Sequence, residues 1–396
     1  RSGERQGHGP CDPDAMNTQP RIAAIDALRG FALIGIYFFN ILVMGGPIDS
    51  ESPATTASLA DPDWRIWWAD GLFVRGAMRG LFSLLFGAST LLFLRQEARV
   101  GAYLRRCMWL FLFGVINSTL LLWPGDLLVI YALAGPVILL FRDAKPTTLF
   151  IAAALVTIVL SAWQYFGALG GGDGGSPDIA AEQAARLGGY AANLAFMWHK
   201  SLEWTLDIST LRWMLDAVAF MLIGMALYRL NVLNAQAPVR TYALMAVLGF
   251  GLGLPLRIWQ GAAAFANGGD YSALAEGTFQ IGRLLMTLGW LGVFMLAWKT
   301  VPWRGLFAPL SALGRMALTG YLAQSAAAAL IFSGFGLGLW NTLGWPERWL
   351  IVPLVMTALA LFSTAWLSRF AMGPVEWIWR ALTFGTAPPL RKEIPA

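Results

Sequence analysis

Ten apolar runs, each close to the roughly 20 residues that cross a bilayer as a helix, recur along the chain. They lie near residues 25–45, 72–94, 105–123, 126–141, 148–168, 210–229, 241–263, 277–298, 308–332 and 349–368. A chain with this pattern has little choice of fold. Inside hydrocarbon every backbone polar group must be satisfied within its own segment, which leaves the helix as the element for runs of this length. Of the 396 residues, 57% are hydrophobic and 13% charged, against about 25% charged in an ordinary soluble domain. The expectation is an all-α, polytopic integral membrane protein, residues 16–396 forming one transmembrane domain. Residues 1–15 read as an expression remnant or upstream extension before Met16.

Loop charges set the orientation. Arg95, Arg99, Arg105 and Arg106 share one loop; Arg142 and Lys145, Arg229 and Arg240, and Lys299 and Arg304 mark three more; Arg369, Arg380, Arg391 and Lys392 close the chain. With ten spans all five groups fall on the same side as the N-terminus. By the positive-inside rule both ends are then cytoplasmic. The opposite loops carry Asp49, Glu51, Asp61 and Asp63, then Asp173, Asp178 and Glu182. Two outer loops are long. Residues 46–70, with Trp64, Trp67 and Trp68, read as an interfacial segment. Residues 169–208 open on a glycine-rich stretch and continue into a helix ending near Trp204. The basic residues are dispersed among loops rather than gathered in a patch, so the sequence pI of about 9.4 does not point to nucleic acid. The partner is the lipid bilayer, and the sequence leaves a homodimer open.

The chemistry available is narrow. Cys11 and Cys107 are the only cysteines, and His8 and His199 the only histidines. They cannot build a disulfide framework or a four-ligand zinc site, so no metal and no bound cofactor are expected. Charges inside spans are costly and mark candidate sites. They gather at two depths. An inner cluster holds Asp26 and Arg29, three apart on one helix face, with Arg315 and Glu376. It reads either as a structural ion pair or as a ligand site. An outer cluster holds Arg75, Arg79, Arg212, Arg257 and Arg283 against Asp126 and Asp216. Five arginines facing two aspartates suit a phosphate or carboxylate ligand, since a guanidinium binds two oxygens at once; snorkelling to headgroups is the plainer reading. Arg79 lies too deep for that, beside Gly76, Gly80, Ser83 and Gly87, whose small-residue spacing allows close helix packing.

Several motifs occur in order. Asp26-Ala27-Leu28-Arg29-Gly30-Phe31 leads to Asn40-Ile41. Arg79-Gly80-Leu81-Phe82-Ser83-Leu84-Leu85-Phe86-Gly87 and Gly125-Asp126-Leu127-Leu128 follow. Later come Gly314-Arg315-Met316-Ala317-Leu318-Thr319-Gly320-Tyr321-Leu322-Ala323-Gln324-Ser325, Phe335-Gly336-Leu337-Gly338-Leu339 and Gly373-Pro374-Val375-Glu376-Trp377-Ile378-Trp379-Arg380. From about residue 20 the chain resembles the YeiB-like family (domain of unknown function 418), and its opening resembles the wider membrane acyltransferase superfamily. The resemblance implies a multi-pass protein of the bacterial inner membrane whose relatives move acyl groups at or across the membrane, with acyl-coenzyme A as a co-substrate. With charges at both depths, the first hypothesis is then an acyltransferase whose donor engages Arg29 and Arg315 and whose acceptor binds the outer arginines; Asp26, Gln324 and Glu376 beside the donor side are donor-binding or structural. Those superfamily relatives use a histidine at the end of the first span or in the loop after it. Here the first position is Asn40, and residues 41–74 contain no histidine.

The remaining candidate base is His199, in Trp198-His199-Lys200-Ser201-Leu202-Glu203, with Glu203 placed to orient it; it reads equally as an interfacial residue. Asp126 and Asp216 are poorer bases if held among arginines. A transporter or flippase of an anionic lipid or metabolite needs no base and is the alternative reading. Asp26 and Asn40 are separated by about 21 Å along one helix, so the first span touches both depths.

Overall fold

The computed structural model describes residues 23–95, 100–170, 178–302 and 304–392. The extension 1–15 with Met16, the glycines 171, 172, 174 and 175, and Arg99 and Asp173 lie outside the described residues. Apart from one isolated bridge between Phe370 and Arg391, the regular structure described is helical.

The chain opens with α1 (Ala23–Met44). A short α2 (Pro62–Ala69) runs through a π-turn (Asp70–Val74) into α3 (Ala77–Arg95). Then follow α4 (Val100–Thr119), α5 (Leu127–Leu139), α6 (Pro146–Leu169), α7 (Ile179–Leu187) and α8 (Tyr190–Leu206). The second half consists of α9 (Ile208–Arg229), α10 (Val239–Ala266), α11 (Ala273–Thr300), α12 (Ala308–Arg315), α13 (Ala317–Phe332), α14 (Trp345–Arg369) and α15 (Pro374–Phe384).

Among the described residues seven segments are long and apolar enough to cross a membrane: Ala23–Met44, Pro62–Leu94, Pro146–Leu169, Ile208–Arg229, Val239–Ala266, Ala273–Thr300 and Trp345–Arg369. The protein is a multi-pass membrane protein. Helices α1 and α9 are central, with 72% and 67% of their apolar windows buried, whereas α6, α10 and α14 bury only 17%, 22% and 22% and turn their side chains to lipid.

The central helices meet through glycine. A Cβ at Gly314 would lie 1.7 Å from the Asp26 carbonyl oxygen, and one at Gly87 would lie 2.0 Å from that of Met221. Backbones this close gain dispersion contacts that larger side chains would forbid. The small-residue face of α3 is therefore a packing face, against α9.

Two expectations change. The run 308–332 is two helices, broken at Met316 (φ −115°, ψ 34°). The tryptophans of 46–70 pack into the protein: Trp64 and Trp67 are 0% and 1% exposed, and both pack on Phe265. Helix α5 has only 13 residues, about 20 Å, while a hydrocarbon core is about 30 Å thick. Helix α5 is shorter than that, and the connection leading into it from α4 through Trp123 and Gly125 lines a cavity.

Candidate functional site

Two of the cavities in the helical bundle hold the two charge clusters, and they are named outer and inner after the expected orientation. The outer one, of about 390 Å³, is lined by Asn40, Arg75, Arg79, Asp126, Arg212 and Asp216 among others. Three of the five expected arginines and both aspartates therefore come together. Arg283 stands behind this wall and Arg257 stands apart from it.

Asp216 of α9 is the hub. Its Oδ2 accepts from Arg79 Nη2 at 3.2 Å and from Arg283 Nη2 at 3.0 Å. Arg283 Nη1 also lies 2.9 Å from Oδ1, but out of line for a hydrogen bond, and both atoms lack other partners. One aspartate thus ties α3, α9 and α11 together and carries two guanidinium groups. Arg79 stacks over Trp213 at 4.2 Å, and Arg212 stands 5.3 Å from the same ring, within cation–π range. Among the described residues no carboxylate comes within ion-pair distance of Arg212. Positive charge is in excess at this corner.

Elsewhere the arginines are engaged within the chain. Arg75 bonds Asp70 Oδ2 at 3.0 Å and reaches Glu51. Arg257 donates twice to the Gly71 carbonyl and once to Gln260, clamping the π-turn. The tally of five arginines against two aspartates omits Asp70 and Glu51, and the cavity as a whole is not strongly positive. Asp70 was missed because it precedes Arg75 by five. Residues five apart do not share a face of an α-helix, but the π-turn brings them together.

Asp126 is not among arginines. It caps α5, accepting Val129 N at 2.8 Å and Asn117 Nδ2 at 2.8 Å, while the next amide, of Leu127, donates to Tyr321 OH at 3.0 Å. Asn40 faces the same cavity and is buried, with its Nδ2 lacking a partner. His199 does not line the cavity: it is exposed on α8, and Glu203 pairs with Lys200 instead. Lys200 itself reaches Asp49, a cavity residue, at 2.9 Å.

The inner cavity, of about 360 Å³, is lined by Arg29, Arg106, Arg315, Arg380 and Glu376. Arg29 holds Asp26 at 3.1 Å, Ser89 Oγ at 2.9 Å and the Gly314 carbonyl at 3.3 Å. Arg315 donates to the Ala371 carbonyl at 3.1 Å. Glu376 is a surrogate cap for α13. The break at Met316 exposes amides that a continuous helix would satisfy, and the carboxylate accepts from Leu318 N at 2.7 Å, Thr319 N at 3.0 Å and Thr319 Oγ1 at 2.5 Å. Burial pushes the Glu376 carboxyl above the usual carboxylate range, and these bonds oppose that rise. Arg106, read as a loop charge, stacks 3.6 Å over Trp379. Gln324 lies away from this cavity, bonded to the Leu33 carbonyl between α1 and α14.

The chain is 30% identical over 406 residues to the uncharacterized protein YxaH of Bacillus subtilis (strain 168), covering 95% of this chain and 97% of the relative. It is 29% identical over 385 residues to the uncharacterized protein YeiB of Escherichia coli (strain K12), covering 93% and 98%. No solved structure matches. The family model described as protein of unknown function (DUF418) matches residues 227–386, which hold α12, α13 and the Glu376 cap. With the likeness to YxaH running from end to end, the chain belongs to the DUF418 family.

Proposed function

We propose that the protein is a membrane-embedded acyltransferase that takes an acyl group from an acyl-coenzyme A class donor in the inner cavity and passes it to an acceptor in the outer one. The observation that carries this reading is the inner cavity: four arginines and aromatic rings line it, and its one carboxylate is committed to capping α13. Guanidinium groups suit phosphates, and aromatic faces suit a nucleotide base. In the reaction the acceptor hydroxyl or amine attacks the thioester carbonyl, the C–S bond breaks, and the thiol leaves with the acceptor's proton. Asn40 offers an unpartnered N–H to the carbonyl oxygen where negative charge develops. The reading also takes ten spans, with α4, α5 and the α12–α13 pair crossing, both termini cytoplasmic, in a bacterial inner membrane.

Purified protein given acyl-coenzyme A and detergent-solubilised lipids and sugars should release free thiol. Release should fall at least tenfold in Arg29→Ala and Arg315→Ala. No thiol release and no donor binding would sink the proposal.

A second reading, a carrier of an anionic lipid or metabolite, has its own support. Among the described residues no histidine lines either cavity, and Asp126, Asp216 and Glu376 are all held by amides or arginines. Flux into proteoliposomes that depends on Arg79 and Arg212, without thiol release, would favour it.

A further inference from the structure

The two cavities are neighbours. Leu127 and Tyr131 line both of them. On α3 the division follows the helix faces: Arg79 and Ser83 line the outer cavity, while Phe82, Phe86 and Ser89 line the inner one. The wall is therefore a single layer of side chains between α3 and α5. Its centre is Tyr131, 1% exposed, whose hydroxyl lies 2.7 Å from Ser83 Oγ and whose ring meets Phe82 and Phe86 at 6.0 and 5.2 Å.

We infer that Tyr131 is the positioning residue at which the cavities join, and that its ring sets the size of the group that passes between them. Three observations support this. The layer is one residue thick, so displacing one ring merges two cavities into one path. The tether is small and all of it is held by one turn of α3: the Tyr131 hydroxyl meets Ser83 Oγ at 2.7 Å and donates to the Arg79 carbonyl at 3.5 Å, and Ser83 Oγ donates to that same carbonyl at 3.0 Å. A serine bonded back to the carbonyl four residues earlier weakens and bends a helix locally, which places a compliant point of α3 opposite the ring. Finally, α5 begins deep in the bundle at Asp126, so Tyr131 sits only one turn from that helix end. The inference rests on the cavities alone and holds for a transferase or a carrier.

Site-directed labelling tests it. Phe86→Cys, in a background of Cys11→Ser and Cys107→Ser, puts a thiol on the inner wall. Right-side-out and inside-out vesicles are treated with a membrane-impermeant maleimide. With Tyr131 present the thiol should react from the inner face alone. Adding Tyr131→Ala should raise labelling from the outer face at least tenfold while inner-face labelling holds, which also certifies the fold. Tyr131→Phe keeps the ring and loses the tether, and should give a smaller rise. Equal labelling from both faces with Tyr131 intact, no outer-face labelling in Tyr131→Ala, or no labelling from either face would each overturn the inference. Because no acyl donor is used, a failure here is separate from a failure of the transferase reading.

Discussion

Arg283 and Asp216 face each other with Nη2 3.0 Å from Oδ2 and Nη1 2.9 Å from Oδ1, in a pair only 1% and 5% exposed. Arg79 shares Oδ2 from the cavity side. Removing the carboxylate strands two guanidinium groups. Asp216→Ala should therefore cost about 3–5 kcal/mol, read as a lower unfolding temperature in detergent. Asp216→Asn should cost less, since its oxygen still accepts. A variant as stable as the parent would mean the hub is not what joins α3, α9 and α11.

Arg212 and Arg257 should behave oppositely. Arg212 faces the outer cavity beside Trp213, with no carboxylate within ion-pair distance among the described residues. Arg212→Ala should leave stability within about 0.5 kcal/mol and weaken binding of an anionic probe several-fold. Arg257 holds the Gly71 carbonyl and is 3% exposed. Arg257→Ala should cost about 2–3 kcal/mol, with any binding loss following from the loosened π-turn. Thermal unfolding and titration with inorganic phosphate separate the two.

Glu376 caps α13 across the break at Met316. Glu376→Ala should cost about 1–2 kcal/mol, and Glu376→Gln less, because one acceptor oxygen remains. The carboxyl's raised pKa gives a sign to the pH dependence. The folded state holds its proton more tightly than the unfolded chain does, so stability falls as pH rises from the ordinary carboxylate value through the folded one. Glu376→Gln should remove that slope. An unchanged slope would show that other groups set it.

Helix α7 is pinned by a buried pair. Glu182 accepts from Arg186 at 2.7 Å and from Ile48 N at 3.1 Å, and Arg186 reaches the Met44 carbonyl at the end of α1. Glu182→Ala should cost about 3–5 kcal/mol locally and expose the outer loop to added protease. Cleavage at the parental rate would show that α7 is held by other contacts.

Hydropathy alone was enough to place the apolar runs on helical segments, seven of them long and apolar enough to cross a membrane and one, 308–332, divided between two helices, because a lipid-facing segment must be apolar along nearly its whole length. Spacing was enough to pair Asp26 with Arg29, since a three-residue step is local geometry. Two features were not legible for the same underlying reason. The π-turn that joins Asp70 to Arg75 and the break between α12 and α13 are backbone departures with no compositional mark. His199 shows the converse: the sequence left it as the first candidate base, ahead of Asp126 and Asp216, and the fold put it on an exposed face of α8.

Sequence by itself determined that this chain is a bundle of membrane helices with charges at two depths, because burial in lipid constrains every residue of a span independently. Which charges neutralise one another, and which face a cavity, only the tertiary structure decided. A guanidinium six bonds from the backbone selects its partner from neighbouring helices, and linear spacing carries no information about which helix will be next to it.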